Sequence, residues 1–361
     1  MSTATAPMVS DPLHAEILGQ PEAIEESIRN LVGGTALTTA GSLFGPTIER
    51  IVVSGMGASY FSSYPFYLRL LDAGLPAVQL EAGELLHFAT SLASPSSLLV
   101  LVSQSGRTGE LLQLLQVLPL GTPVVAVTNE PSSPLAQRAT VTLAFAAGEE
   151  TAAATKTSLC SLLTLDLLAE ELLLRAGRKA LGIGARIEIW QQTAQSLAQA
   201  IAEQDQWLPP LVRLLDLPEH VFFLGRGPSL AAVLVGALMT KEMAHVHAEG
   251  MSVPQFRHGP LESAGPDRSA VVAVTPGSLR GLDLKLAEDM VALGMRVATI
   301  TLEADTPMRT GVERVALPPV PCGMEPVLHM LPLQLLAREF ALRQGMEPGR
   351  FLHTGKVTDH E

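Results

Sequence analysis

The strongest constraint on this chain is that its pattern is written twice. A short apolar run ending in glycine, Ile51–Gly55 (IVVSG), is followed by Met56-Gly57-Ala58-Ser59 and a helical pattern. The same form returns at Val221–Gly225 (VFFLG), followed by Arg226-Gly227-Pro228-Ser229. Leu98–Ser103 (LLVLVS) returns as Ala270–Thr275 (AVVAVT), Val124–Asn129 (VVAVTN) as Arg296–Thr301 (RVATIT), and Val141–Phe145 as Val315–Pro319. Aligned features at a nearly constant displacement identify a duplicated domain. Short apolar runs alternating with longer helical stretches predict parallel strands covered by helices on both faces. Each copy has room for about five strands, the size of a doubly wound, flavodoxin-like α/β sheet, whose ligands bind at the carboxyl ends of the strands. Between the copies, Ala185–Gln206 is helical in pattern and Pro209-Pro210 is expected to stop it. The division therefore falls into residues 1–205, N-terminal helices plus the first copy, and 206–361, the second copy with its tail. Asp11–Leu31 reads as one or two short helices, with Pro21 as a helix start.

Composition narrows the function. Hydrophobic residues make up 47% of the 361 and charged residues 17%, enough apolar material for a large core. Aromatics are only 4%, so that core is built from Leu, Val, Ala and Met. A balance of 24 basic against 36 acidic side chains argues against a nucleic-acid-binding surface, which concentrates positive charge. The uncharged run Leu111 to Asn129 contains Gln113, Gln116, Pro119, Gly121 and Pro123, so it is no membrane span. The first Lys or Arg is Arg29, and neither part of a secretory leader is present, so a cytoplasmic protein is expected. Cys160 and Cys322 sit in apolar surroundings and are expected as buried thiols, not a disulfide.

Two loops of the first copy can cradle a phosphate. One is Gly55-Met56-Gly57-Ala58-Ser59; the other is Ser103-Gln104-Ser105-Gly106-Arg107-Thr108, which leads into a helix. Glycines admit an anion close to the backbone, free N–H groups at a helix start point toward it, and hydroxyls complete the shell. Neither loop is a Walker sequence or G-x-G-x-x-G, so a small sugar phosphate fits better than a nucleotide. Each loop is equally readable as an ordinary turn that needs Gly and Ser for geometry. The second copy has Thr275-Pro276-Gly277-Ser278 instead, which leaves one anion site per chain.

A second constellation is Glu242 and His258. Ala231, Leu234, Leu238 and Glu242 recur at helical spacing, which predicts that Glu242 lies on the face packed toward the sheet. A carboxylate there must be paired or functional. His258 opens the rigid turn His258-Gly259-Pro260, where an imidazole can exchange protons with a sugar ring oxygen. A Glu–Lys structural pair and a histidine satisfied by backbone are the alternatives. His245 and His247, two apart on a helix, point to different sides and make no metal site. Lys356, in the tail Gly349–Glu361, is either solvated or, folded into an apolar pocket, an amine able to attack a carbonyl.

Taken together, GMGASY (Gly55–Tyr60), SQSGRT (Ser103–Thr108), ATK (Ala154–Lys156), GALMTKE (Gly236–Glu242), HAE (His247–Glu249), HGPLE (His258–Glu262), PLQLLA (Pro332–Ala337) and KVT (Lys356–Thr358) resemble a known family. It is the isomerase half of glucosamine-6-phosphate synthase and its stand-alone relatives, the SIS (sugar isomerase) domain aminosugar-phosphate deaminases and isomerases. The resemblance covers essentially the whole chain from LHAEILGQPEAI (Leu13–Ile24) onward. It implies two tandem SIS subdomains, each a five-stranded parallel sheet. It implies a sugar phosphate held by Gly57, Ser59, Ser103, Gln104, Ser105 and Thr108. Glu242 matches the base that moves a proton between C1 and C2, His258 a ring-opening histidine that reaches the neighbouring subunit's site, and Lys356 a lysine that forms a Schiff base. A homodimer with shared sites follows, with no cofactor and no metal.

The chain departs from the family at Met239, where a second lysine is expected, at Ala58, which replaces a threonine, and in a slightly longer Arg350–Lys356 segment. No glutaminase half and no cysteine after Met1 are seen, so the expected direction is ammonia release: glucosamine 6-phosphate and water giving fructose 6-phosphate and ammonia. An amino-acid deglycase on fructose 6-phosphate, or an aldose–ketose isomerase, would share the fold. A sugar-phosphate sensor is the non-enzymatic alternative; it would have no need of Glu242, His258 and Lys356.

Overall fold

Among the described residues, ten strands form two sheets of five, and every pairing is parallel. The computed structural model describes residues 11–353 and 355–359; residues 1–10, read above for a leader, lie outside them. The first sheet holds β1 (Arg50–Gly55), β2 (Ala77–Glu81), β3 (Ser97–Val102), β4 (Val124–Thr128) and β5 (Val141–Ala144) in the order β2-β1-β3-β4-β5. The second holds β6 (His220–Gly225), β7 (His247–Ser252), β8 (Ser269–Ala273), β9 (Arg296–Thr301) and β10 (Val312–Ala316) in the order β7-β6-β8-β9-β10. Both follow the flavodoxin order 2-1-3-4-5, so the duplicated α/β architecture expected from the repeat is the one found.

The central strands are buried on both faces, which is why they read as unbroken apolar runs. Along them, side chains alternate between two cores. Ile51, Val53, Val100 and Val102 enter a core that also contains Val221, Phe223 and Val271 of the second sheet. Val52, Leu99 and Leu101 enter a separate outer layer. One apolar core thus runs through both halves, threaded by the helices Lys156–Arg175, Leu230–Ala244 and Glu325–Arg343.

Two of these helices meet where Gly236 faces Leu333; a Cβ on Gly236 would come within 2.6 Å of the Leu333 Cβ. Gly236→Ala overpacks this crossing and is expected to cost about 1–3 kcal/mol, read as a lower midpoint in urea unfolding.

Several boundaries differ from the sequence reading. Pro209-Pro210 do not stop a helix; they lie inside Gln204–Leu215, and the break falls at Glu203, between that helix and Ile183–Ala202. The carbonyls the two prolines leave unserved belong to the exposed Asp205 and Gln206. The helix is held by its buried face of Trp207, Leu208, Leu211, Val212 and Leu215. The last strand is Val312–Ala316, not Val315–Pro319: it ends before Pro318 and Pro319, which have no N–H to pair. Cys160 is buried, and burial pushes its thiol up to about 12. Cys322 is exposed, on the turn Pro321-Cys322-Gly323, and the two form no disulfide. The N-terminal segment forms the helices Pro12–Leu18 and Gln20–Val32, with Pro21 in the first turn as expected. No helix among the described residues is long and apolar enough to cross a membrane.

Candidate active site

In a 2-1-3-4-5 sheet the chain leaves the carboxyl ends of the first and third strands in opposite directions, opening a crevice between them. The two candidate loops follow β1 and β3 and border that crevice. A cleft of about 480 Å³ lies there, lined by Gly57, Ser59, Gln104 and Thr108 from the first half. Leu238 and Glu242 of the Leu230–Ala244 helix close it from the second half, and Phe351, Lys356 and Thr358 of the tail cover it. Residues more than two hundred positions apart are therefore brought into one cavity.

The loop after β3 is wired internally. The Ser103 and Thr108 hydroxyls bond each other at 2.8 Å, and the Gly106 N–H donates to Ser103 Oγ at 3.0 Å. The Arg107 N–H donates to Ser105 Oγ at 3.2 Å. Ser103 is buried beneath the cleft, and neither it nor Ser105 is on the wall. Gly106 makes the turn possible: its φ is +60°, and a Cβ there would overlap the Ser133 hydroxyl. Gly106→Ala is expected to displace the Ser103–Thr108 segment and weaken binding of inorganic phosphate by about tenfold or more, roughly the worth of one charge-assisted hydrogen bond, as read by calorimetry.

The corresponding crevice of the second half is closed by the chain itself. The buried Asp283 carboxylate accepts from the Thr275 N–H at 2.9 Å and from Arg226 Nε at 2.7 Å. Ser229, the counterpart of Ser59, bonds Nδ1 of the buried His329 at 2.8 Å. Burial pushes His329 down to about 3, so it is neutral. The Thr275 N–H, the Arg226 guanidinium and the Ser229 hydroxyl, three groups that an anion could use in this copy, are thus engaged within the chain.

Glu242 is half-buried and faces the cleft, not the sheet as its spacing implied. The Leu230–Ala244 helix is enclosed by β6, β7, the Glu325–Arg343 helix and the Gly57–Ser62 helix, so apolar spacing marks no single inward face. Burial pushes the Glu242 carboxyl up to about 7, against the opposing pull of Lys356 and Lys241. A carboxyl poised there can both take and return a proton near neutral pH.

Lys356 is neither solvated nor in an apolar pocket. Its Nζ donates to Glu150 Oε2 at 2.7 Å and to the Ala152 carbonyl at 2.5 Å. Like Glu110, Glu150 is a wall residue the sequence reading missed. Its carboxylate, wholly buried, also accepts the N–H and hydroxyl of Thr155 (both 2.9 Å) and of Thr157 (3.1 and 2.6 Å). The same loop is pinned by Glu16, which accepts from the Thr151 N–H at 2.5 Å and the Ala152 N–H at 3.2 Å, and whose own pKa is raised by burial. A carboxylate pair just past the carboxyl end of β5 was the available signal. The tail is further held where His353 stacks on His245, ring centroids 5.6 Å apart. His258 stands apart: it is exposed, just after the Val253–Arg257 helix, and does not line the cleft.

Known proteins are similar to this chain in sequence and fold. Residues 47–171 match the SIS domain. The glutamine–fructose-6-phosphate aminotransferase (isomerizing) of Pyrococcus horikoshii is 32% identical over 341 residues, covering 93% of this chain and 55% of that protein. Its counterpart from Thermococcus kodakarensis is 29% identical, covering 93% of this chain and 56% of that protein. The chain thus spans about half the length of these relatives. The solved C-terminal domain of glucosamine-fructose-6-phosphate aminotransferase from Francisella tularensis superimposes with a TM-score of 0.86 at 24% identity, covering 96% of this chain and all of that one. The chain thus carries a match to the SIS domain over residues 47–171 and, along 93% of its length, is homologous to the isomerase half of the glutamine–fructose-6-phosphate aminotransferases.

Proposed function

We propose that the cleft binds a hexosamine 6-phosphate and that the chain converts glucosamine 6-phosphate and water to fructose 6-phosphate and ammonia. The observation that carries this reading is Glu242, a carboxyl poised near 7 that lines the same cleft as a loop built of hydroxyls and amides. The homologous aminotransferases, named for fructose 6-phosphate and for isomerization, support the substrate class. In this reading Gly57, Ser59, Gln104 and Thr108 hold the phosphate, with Ser103 and Ser105 shaping the loop beneath it. His258, exposed on its turn, opens the sugar ring in a partner chain's cleft, which makes the working unit a homodimer. Glu242 takes the C2 proton and returns it to C1, and the C2 amine becomes an imine. Water adds to that imine and ammonia leaves. Lys356 supplies the positive charge beside the developing enolate-like carbons; acting as a Schiff-base amine would require it to leave Glu150 and lose a proton. A coupled ammonium assay across hexosamine 6-phosphates tests the proposal: ammonium release with glucosamine 6-phosphate is expected. Interconversion of aldose and ketose phosphates with no ammonium would identify an isomerase that uses the same Glu242 step.

A further inference from the structure

We propose that Glu110 recognises the hydroxyls of the sugar chain that lie between the phosphate and the reacting carbons. The inference rests on the reading that the cleft takes a sugar phosphate, and it extends that reading to what the cleft selects. Glu110 is the second residue of the Gly109–Val117 helix, two positions after Thr108, and it lines the cleft. A glutamate in a first helical turn normally sits in water, where it complements the helix dipole. This one is only 8% exposed, and its Oε2 has no hydrogen-bond partner among the described residues. A buried acceptor of that kind is costly unless something donates to it. Glu150, the other buried carboxylate on the wall, shows the contrast: it collects donors from Thr155, Thr157 and Lys356.

The chemistry of the missing partner follows. A carboxylate repels the phosphate itself and accepts from O–H or N–H groups. Among the described wall residues there are three carboxylates, Glu110, Glu150 and Glu242, and one cation, Lys356. Such a wall favours a ligand with one anionic end and several donors over a bare anion. Glu110 adjoins the phosphate-holding Thr108, so the donors it meets are on the carbons nearest the phosphate, ahead of those that Glu242 reworks. The ligand class is a polyhydroxylated monophosphate, and Glu110 sets the preference for it over inorganic phosphate.

The test compares two probes, inorganic phosphate and glucitol 6-phosphate, which has no carbonyl and cannot turn over. The wild-type chain is expected to prefer the hexitol. Glu110→Ala is expected to lower hexitol affinity by about 10- to 100-fold, with phosphate affinity unchanged or tighter because a negative charge is gone. Phosphate binding doubles as the control for folding; if the alanine variant fails it, Glu110→Gln, which preserves shape, is read in the same way, with a smaller loss of preference. Equal losses for both probes, or no loss for the hexitol, overturn the proposal, as does a wild-type chain indifferent between them. Selective hexitol binding without ammonium release would defeat the deaminase reading alone and leave Glu110's role standing.

Discussion

Glu242→Gln is expected to lower turnover of glucosamine 6-phosphate by about 10²–10⁴-fold, the scale of a general acid–base group, while glucitol 6-phosphate still binds. The variant keeps the shape of the side chain and removes only its capacity to carry a proton. A second readout is pH. The wild-type carboxyl sits near 7 because it is buried, and it must be ionised to abstract a proton, so kcat/KM should rise as pH passes through that value. The remnant activity of the variant should lack that rise. Stability should move in the opposite sense. The unfolded carboxyl titrates at about 4.3, so the folded state binds the extra proton between the two values. The stabilising contribution is present below the unfolded value and is lost as pH rises through about 7. Glu242→Gln should therefore match the wild type in thermal midpoint in mild acid and exceed it in mild alkali. A variant that retains most activity would remove Glu242 from the mechanism.

Lys356→Met is expected to have the second-largest effect, on stability and activity together. It leaves the Glu150 carboxylate buried without its cation. Stripping one partner from a buried pair typically costs about 3–5 kcal/mol. The four donors from Thr155 and Thr157 remain, so the loss should fall at or below the lower end of that range. Freed of the pair, the tail should be cut faster by protease near Lys356, and turnover should fall with it. The double variant Glu150→Gln, Lys356→Met separates the causes. If the ion pair anchors the tail, the double variant is more stable than Lys356→Met alone, and the two single effects do not add. Strict additivity would show that the pair contributes nothing as a pair.

Legibility of the fold followed burial. β3 and β8 are buried at every position, and both appeared as apolar runs that the repeat aligned. β2 and β7 lie at sheet edges, carry Gln79, Glu81, His247 and Glu249, and gave no such signal, so the repeat revealed four strands per copy where the sheets have five. Of the site, the residues on sharp loops were readable, because Gly and Ser at a strand end have few other uses. The direction of Glu242 was not readable, since a helix enclosed on all sides has no hydrophobic stripe to orient it. Glu150 and Glu110 were missed for a related reason. Glu110, in a first helical turn, reads as a solvated cap, and the Glu149-Glu150 pair reads as a solvated loop; three-dimensional burial is what sets Glu110 and Glu150 apart.

The continuous core and the cleft built from both copies have a consequence for taking the chain apart. The first copy alone would keep its loops but lose the Leu238 and Glu242 wall opposite them; the second alone would keep Glu242 facing nothing. Severed at residue 203, each fragment would also present to water the apolar face that its sister had covered. Occupancy of the cleft therefore acts as a clasp across the seam. A ligand at about a hundred times its dissociation constant adds about 2.7 kcal/mol to the joint unfolding of both copies, and melting should sharpen toward a single transition as the clasp is filled.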